Sequence, residues 1–148
     1  MTLTEGSGLL LRPARPADAP VIATLSGDLG YATTPANAAM RLARLLDDPD
    51  HHVIVAEQGG AVVGLVSLLR AWAIHRDEPS VRLSVLVVDS RHRRLGIGER
   101  LVAASEDWAR AQGADSLHLT SGSHRPDAHR FYVRLGYSGD GMRFRKDL

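Results

Sequence analysis

The residues best suited to bind a charged ligand cluster at positions 85–101, which read VLVVDSRHRRLGIGERL. Three arginines before the first glycine of this segment offer charged donors that suit phosphate oxygens: Arg91, Arg93 and Arg94. Gly96 and Gly98 lack side chains, so that a phosphate can approach the backbone closely. The first N–H groups of a helix have no intrahelical partner and lie at the positive end of its dipole. The segment therefore predicts a phosphate-binding turn between a strand and a helix.

This turn differs from two common phosphate-binding motifs. The dinucleotide pattern G-x-G-x-x-G needs a third glycine where this chain has Leu101. A P-loop needs Gly-Lys followed by Ser or Thr, and the turn contains no lysine. Two interpretations stay open from the residues alone, a bound phosphate and a helix start whose basic turn is only solvated. The position after a buried strand and before an amphipathic helix favours the bound phosphate.

A second segment, 128–137, reads AHRFYVRLGY and contains Tyr132. This tyrosine belongs to a set at helical core spacing: Ala128, Phe131, Tyr132 and Leu135. One interpretation is therefore a core tyrosine whose hydroxyl is hydrogen-bonded. The other is a general acid, because a free phenol titrates near pH 10 and is protonated at neutral pH.

The patterns around these segments predict the element order β-α-α-β-β-β-α-β-α-β, an α/β (α+β) class. The predicted strands are 9–11, 52–57, 61–69, 81–88, 117–120 and 137–145, and the later helices are 96–112 and 127–135. Asp18 and Thr34 are predicted N-caps of the first two helices, each followed closely by a proline. No linker or repeat interrupts the chain, so one domain is predicted over 1–148.

Strand 81–88 leads directly into the turn and is expected to be covered on both faces. Strict alternation places four of its residues on one face: Val81, Leu83, Val85 and Val87. Leu86 and Val88 make the other face apolar near the end of the strand. With the following helix and strand it forms a right-handed crossover unit over 81–120.

Length and composition set further limits. The 148 residues suit one core, and 44% apolar with 24% charged residues is typical of a globular protein. A formal net charge of +1 gives no global field for nucleic acid or an anionic membrane. The chain has no cysteine, which excludes disulfides, thiolate metal sites and a cysteine nucleophile. With no signal-peptide pattern and no long apolar run, a cytoplasmic protein is expected.

The two segments together resemble the GNAT (GCN-related N-acetyltransferase) superfamily. Its cofactor motif, Gln/Arg-x-x-Gly-x-Gly/Ala, corresponds to residues 93–98, RRLGIG. Its later pattern, Asn-x-x-Ala-x-x-Phe-Tyr-x-x-x-Gly-Phe/Tyr, is matched at Ala128, Phe131, Tyr132, Gly136 and Tyr137. The motifs stand in the family's order, and the resemblance extends over residues 9–145. One position departs, because Arg125 stands where members often have the asparagine.

The resemblance implies the GNAT acyl-CoA N-acyltransferase fold, a mixed central sheet flanked by helices. It also implies direct transfer of an acetyl group from acetyl-CoA to a primary amine in a ternary complex, without a metal. The implied cofactor-binding residues are Leu86, Val87, Val88, Arg93, Arg94, Leu95, Gly96, Ile97, Gly98, Glu99 and Arg125. Tyr132 is the implied general acid, which protonates the departing CoA thiolate.

Acceptor contacts in this fold usually come from the first two helices and the loop after strand 61–69. The candidates here are Asp28, Tyr31, Trp72, His75, Asp77 and Glu78. Many members carry a glutamate base on the fourth or fifth strand, but these strands offer Arg82, Ser84, His118 and Thr120. The base is left among Glu78, Asp77, His75 and a water chain. A small amine, an amino acid, an aminoglycoside-like polyamine and a protein amine all stay open as acceptors.

The same residues favour a metal site or nucleic-acid binding less than they favour acyl transfer. The histidine pairs 51/52 and 124/129 have poor spacing for a metal site. Nucleic-acid binding is disfavoured by the near-neutral charge and the few aromatic residues for base stacking. A non-catalytic acyl-CoA-binding or sensor domain of the same fold is the stronger alternative, because a carboxylate base is missing. Members often dimerise through sheets or C-terminal strands, so the resemblance admits a homodimer.

Overall fold

Alternating and continuous apolar runs form a five-stranded sheet in the computed structural model, which describes residues 8–121 and 126–148. The strands are β1 (Leu9–Pro13), β2 (His51–Gln58), β3 (Ala61–Ala71), β4 (Ser80–Val88) and β5 (Leu117–His118). They lie in chain order across the sheet. The first four are antiparallel, and β5 runs parallel to β4.

The helices are α1 (Ala19–Asp28), α2 (Pro35–Leu46), α3 (Ile97–Ala111) and α4 (Pro126–Arg134). Short 3-10 turns cover Pro16–Asp18 and Ser90–His92. The chain divides into two compact units, Met1–His118 and Leu119–Leu148, and α4 belongs to the second. The α/β (α+β) class is confirmed. The prediction of one domain over 1–148 stays a prediction.

The first unit has a core on each face of its sheet. Helices α1 and α2 cover one face, where Leu25 and Leu42 join Leu65 of β3 in one buried cluster. Gly64, the neighbour of Leu65, points to the opposite face. There a Cβ at position 64 would lie 3.1 Å from the Val87 carbonyl oxygen of β4 and 3.3 Å from Leu101 Cδ1 of α3. These two contacts explain the glycine, since a side chain would crowd both the neighbouring strand and α3.

The two predicted N-caps behave differently. The Thr34 hydroxyl accepts a hydrogen bond from the Asn37 N–H at 3.1 Å, as the sequence predicts. Asp18 occupies the N-cap position of α1, but its side chain makes no capping bond. Its carboxylate is bound instead by the guanidinium of Arg12 and the N–H of Arg15. The helix start was therefore predicted correctly, and the role of Asp18 was not.

A β-bulge in β4 makes the predicted alternation of this strand wrong. Leu83 pairs with Leu68 of β3 and Val85 pairs with Ser67, so that Ser84 is the extra residue. Val87 pairs with Leu65, whereas Leu83 pairs with Leu68. Leu65 and Leu68 are three residues apart on β3, so their side chains lie on opposite faces of the sheet. Val81 and Leu83 consequently lie on the α3 face, while Val85 and Val87 lie on the α1–α2 face.

The predicted terminal strand at 137–145 is also wrong, because residues 137–148 form no strand. Residues 138–148 are exposed, so the segment has no buried face to hold it against a sheet. Gly139 and Gly141 stand inside it, and Gly141 has a φ of +73°. Glycine in a strand interior loses backbone entropy and offers no side chain to pack.

None of the described helices is long and apolar enough to cross a membrane.

A histidine–tryptophan stack joins β2 to α3 and predicts a pH effect on stability. The rings of His52 and Trp108 lie 5.1 Å apart and nearly parallel, at 11°. Burial lowers the pKa of His52, so protonation is harder in the folded than in the unfolded chain. Its contribution to stability is therefore full above the unfolded pKa and falls away as the pH drops below about 6.5.

We expect His52→Phe to keep the stack and to lose this part of the pH dependence. The measurement is the free energy of unfolding in urea between pH 5 and pH 8. The variant should lose less stability on acidification than the parent, because one titrating group has been removed. His51→Phe, on the other face of β2, is the control. Equal slopes for the parent and the His52 variant would contradict the prediction.

Candidate functional site

The turn after β4 is organised by Asp89, which follows the last strand residue. Its N–H donates to the Val63 carbonyl at 2.7 Å, and its Oδ1 accepts the Arg91 N–H at 2.9 Å. The Arg91 guanidinium also bonds this carboxylate and lowers its pKa. Asp89 is thus an ionised clamp that starts the turn. Arg91 is tied to it, and so is less available to a ligand.

The second half of the turn has the backbone shape of an anion-binding concavity. Arg94 has a φ of +63° and Gly96 a φ of +79°, both in the left-handed region. Glycine adopts that region freely, but arginine does so at a cost. Successive N–H groups around such left-handed residues can converge on an anion. This strained arginine is the feature of the turn that a sequence pattern does not reveal.

Helix α3 begins at this concavity without a side-chain cap. Arg100 donates its N–H to the Gly96 carbonyl at 3.1 Å and closes the first turn. The N–H groups of Ile97, Gly98 and Glu99 precede that bond and point out of the helix end. Ile97 itself is 3% exposed, so its side chain anchors the helix start in the core. The helix end is therefore fixed in place while its donors face outward.

The remaining turn residues surround the helix end. Arg93 is exposed, and its Nε lies 3.4 Å from the Val88 carbonyl, so its side chain turns back towards the strand. Arg94 is exposed and makes no hydrogen bond or ion pair among the described residues. Leu95 is 63% exposed. The turn therefore presents a free guanidinium and an exposed apolar side chain beside the backbone donors.

Strand β4 leads into the turn with one edge largely open. Only Val81 and Arg82 pair with β5, at Leu117 and His118, while β4 continues to Val88. Within the described residues, 83–88 therefore have a strand partner on the β3 side alone. This stretch contains Leu86, Val87 and Val88, and every second residue of it offers backbone groups to the open edge. An extended ligand chain can pair there as an added strand does.

A cavity of about 480 Å³ lies on the α1 side of the turn. Its walls include the ion pair of Arg12 with Asp18 and that of Arg91 with Asp89. The polar side chains of this cavity are largely satisfied by one another. None of the predicted cofactor or acceptor residues lines it.

In the second unit, α4 carries Tyr132 on a small aromatic cluster. Its ring meets Phe131 edge-on at 5.1 Å and Tyr137 edge-on at 5.8 Å. Tyr132 is half-buried, and the cluster fixes the position of its ring. Both predicted roles, core packing and proton donation, stay open at this position. Arg125, the other residue predicted in this region, lies outside the described residues.

The predicted acceptor residues fall into two groups on the first unit. Asp28 ends α1, and Tyr31 follows it with 71% of its surface exposed. The other four stand on the exposed loop between β3 and β4: Trp72, His75, Asp77 and Glu78. Neither Asp77 nor Glu78 has an ion-pair partner within the described part of the chain. The structure thus places all six on the surface and brings four of them onto one loop.

Sequence reasoning missed one cluster, at the place where β5 ends. The register sets Arg82 beside His118, and the His118 Nε2 lies 3.4 Å from Ser80 Oγ. Burial lowers the pKa of His118, and the positive charges of Arg82 and Arg76 lower it further. The signal available in the sequence was the presence of polar residues on the otherwise apolar strand β4. Their contact with His118 could not be predicted, because it depends on the register between β4 and β5.

Among residues 8–121 and 126–148, no three His, Cys, Asp or Glu side chains are placed together so that they could hold a metal ion.

Comparison with known proteins agrees with this geometry. The chain matches the model of the acetyltransferase (GNAT) family over residues 23–137. It is 40% identical over 101 residues to the aminoalkylphosphonate N-acetyltransferase of Salmonella typhimurium, covering 68% of this chain and 66% of that protein. About a third of that relative therefore lies outside the match.

Solved structures share the fold. A GNAT family acetyltransferase of Staphylococcus aureus superposes with a TM-score of 0.83 at 23% identity, covering 95% of this chain and 99% of that one. An aminoglycoside N-acetyltransferase in complex with CoA gives a TM-score of 0.83 at 16% identity, covering 99% and 100%. The matched span includes both the turn before α3 and helix α4, and this chain belongs to the acetyltransferase (GNAT) family.

Proposed function

We propose that this protein is an N-acetyltransferase that moves an acetyl group from acetyl-CoA to a primary amine within a ternary complex. The observation that carries the proposal is the turn 93–98. It combines two left-handed backbone positions, an uncapped helix start and an arginine without a carboxylate partner. Support comes from the structural neighbour in complex with CoA and from the Salmonella relative, named as an aminoalkylphosphonate N-acetyltransferase.

In this proposal each part of the acyl donor has a place in the first unit. The N–H groups of Ile97, Gly98 and Glu99 and the Arg94 guanidinium bind the phosphates. The open edge of β4 at 86–88 pairs with the amide-containing arm. A backbone N–H of this edge donates to the thioester carbonyl oxygen and stabilises the negative charge that develops there.

The proposed reaction needs two proton movements. The neutral amine nitrogen attacks the thioester carbonyl carbon, a C–N bond forms, and the C–S bond breaks. Tyr132 gives its phenolic proton to the departing thiolate, and the extra proton on the nitrogen passes to a base or to water. The products are the N-acetylated amide and CoA as a free thiol.

One observation favours a second candidate, a non-catalytic acyl-CoA-binding domain of the same fold. Strand β4 contains no carboxylate from Ser80 to Val88, and β5 contains none. A base from these strands is therefore not a glutamate or aspartate. Release of CoA thiol with any amine distinguishes the enzyme from the binding domain.

We expect acetyl-CoA to raise the thermal unfolding midpoint of the parent protein. Ligand at 100 times its Kd adds about 2.7 kcal/mol, which corresponds to a rise of about 5–10 °C for a chain of this length. Gly98→Glu should abolish the rise, because its carboxylate occupies the helix end and repels phosphate. The variant should still fold, since a negative charge suits a helix N-terminus.

Ala103→Glu is the matched control, because it adds the same charge to an exposed position further along α3. It should keep the rise in midpoint. Equal rises for parent and Gly98→Glu would show that acetyl-CoA binds elsewhere. No rise for the folded parent with any CoA thioester would reject the proposed function.

A further inference from the structure

Three arginines lie on strands of the sheet, and one of them lacks a carboxylate. Arg12 on β1 is bound by Asp18 and Glu57, and Arg70 on β3 is bound by Asp50. The side chain of Arg82 on β4 has no hydrogen bond or ion pair among the residues that the structure describes, and it is exposed. A strand cation without a partner is available for an anionic ligand.

The residues around Arg82 are donors and lack negative charge. Alternation along β4 places Ser80 on the same face, and the bulged residue Ser84 is exposed beside it. His118 is the β5 partner of Arg82 in the register and lies within 3.4 Å of the Ser80 hydroxyl. Two hydroxyls, an imidazole and a guanidinium thus share one patch.

The electrostatic field of this patch is positive. The charges of Arg82 and Arg76 both oppose protonation of His118. Arg76 is paired with Asp115, which offsets its charge in part, whereas Arg82 is not offset. An oxyanion placed here would meet donors from four side chains, more than the two oxygens of a carboxylate need.

The patch also lies where an acceptor would have to lie. Arg82 pairs with Leu69 of β3, which shares a face with Leu65 and hence with α1 and α2. It stands directly before the open edge of β4. From Ser84 to Val88, where the phosphate-binding turn begins, the strand rises roughly 13 Å. The donor and the patch therefore occupy successive parts of one strand.

We propose that Ser80, Arg82, Ser84 and His118 form an acceptor subsite for a tetrahedral oxyanion, so that the amine substrate carries a phosphonate or phosphate group. This inference rests on the proposed function and names its substrate class. The guanidinium binds two oxygens of the group, and the hydroxyls and the imidazole bind the third. The amine at the other end of the substrate is left to reach the thioester.

The test compares four amines of similar size by CoA thiol release: 2-aminoethylphosphonate, O-phosphoethanolamine, β-alanine and n-propylamine. The phosphonate and the phosphate should exceed n-propylamine in kcat/KM by about 10- to 100-fold, the effect of charged hydrogen bonds. The ratio between those two tells which oxyanion the site prefers. β-Alanine shows whether a carboxylate is sufficient.

Arg82→Gln should remove the preference by lowering kcat/KM for the phosphonate and the phosphate to the level of n-propylamine, since only a substrate with an anionic group uses the guanidinium. Arg41→Gln is the matched control, because Arg41 is exposed on α2 and has no partner among the described residues. The midpoint rise with acetyl-CoA must persist in both variants, which shows that they fold. Equal rates for all four amines, or an unchanged preference in Arg82→Gln, would overturn the subsite.

Calorimetric titration of the CoA-saturated protein separates this inference from the proposed function. Binding of 2-aminoethylphosphonate that Arg82→Gln abolishes, without turnover of any amine, would reject the enzyme and support the subsite. Turnover of n-propylamine with no binding of either the phosphonate or the phosphate would support the enzyme and reject the subsite.

Discussion

Tyr132→Phe is expected to lower kcat by about 10²- to 10⁴-fold, the usual contribution of a positioned general acid. The substitution removes only the hydroxyl, so the ring contacts with Phe131 and Tyr137 stay in place. Without the proton donor, CoA must leave as a free thiolate, and the barrier of the chemical step rises. The measurement is thiol release at saturating amine and acetyl-CoA, with the acetyl-CoA Kd determined in parallel.

Tyr137→Phe is the matched control, because it deletes a hydroxyl from the same aromatic cluster. It should keep kcat within about threefold of the parent, if packing is its only role. An acetyl thioester of a thiol more acidic than CoA should partly rescue Tyr132→Phe, because its thiolate leaves without a proton donor. A loss of less than tenfold, or an equal loss in both variants, would assign Tyr132 to the core instead.

Asp18→Asn is expected to cost about 3 kcal/mol of stability, because it leaves the charge of Arg12 partly buried without its main partner. The side chains of Arg12 and Asp18 are 14% and 8% exposed, and two bonds of 2.9 Å join them. Asp18 also accepts the Arg15 N–H at 2.7 Å, which fixes the entry into α1. Glu57 still contacts Arg12, so the loss falls at the lower end of the range for a buried pair.

Urea unfolding measures this loss, and Asp50→Asn is its control. Asp50 forms a comparable pair with Arg70, but it is 41% exposed, so about 1 kcal/mol or less is expected. The hydrogen bond from Arg12 lowers the pKa of Asp18 in the folded chain. The stability it adds is therefore present above about pH 4 and is lost as the pH falls through the folded pKa. Equal losses for the two variants would contradict the buried-pair argument.

The turn between β4 and α3 was predictable because every feature it needs is local in the chain, whereas its binding of phosphate stays a prediction. A buried strand, two glycines and a helix start are all visible within residues 85–101. Gly96 adopts the left-handed conformation, which glycine does freely. The left-handed conformation of Arg94 does not follow from its residue type, since arginine rarely adopts it.

Features that join distant positions were harder to predict. Asp18 has the sequence position of an N-cap, but Arg12 and Glu57 decide its contacts, and Glu57 arrives from another strand. The patch of Ser80, Arg82 and His118 exists only through the register of two strands far apart in sequence. The segment 137–145 has strand-like residues at its ends, but residues 138–145 are exposed and so gain no burial from a sheet. Gly139 and Gly141 inside the segment disfavour a strand further, and Gly141 is left-handed.

The extra residue in β4 reverses the alternation of side chains between the two faces of the sheet at Ser84. Before Ser84, the side chains that face α1 and α2 are polar, and after it they are apolar, although the strand is continuous. Substitutions at 80–84 can therefore alter what the first half recognises without changing which residues of the second half pack in the core. Under the proposed function, acceptor preference can change through 80–84 while the half of β4 proposed to bind the acyl donor stays constant. Deleting Ser84 would restore one continuous alternation along β4. Residues on one side of position 84 would then have to move to the opposite face of the sheet.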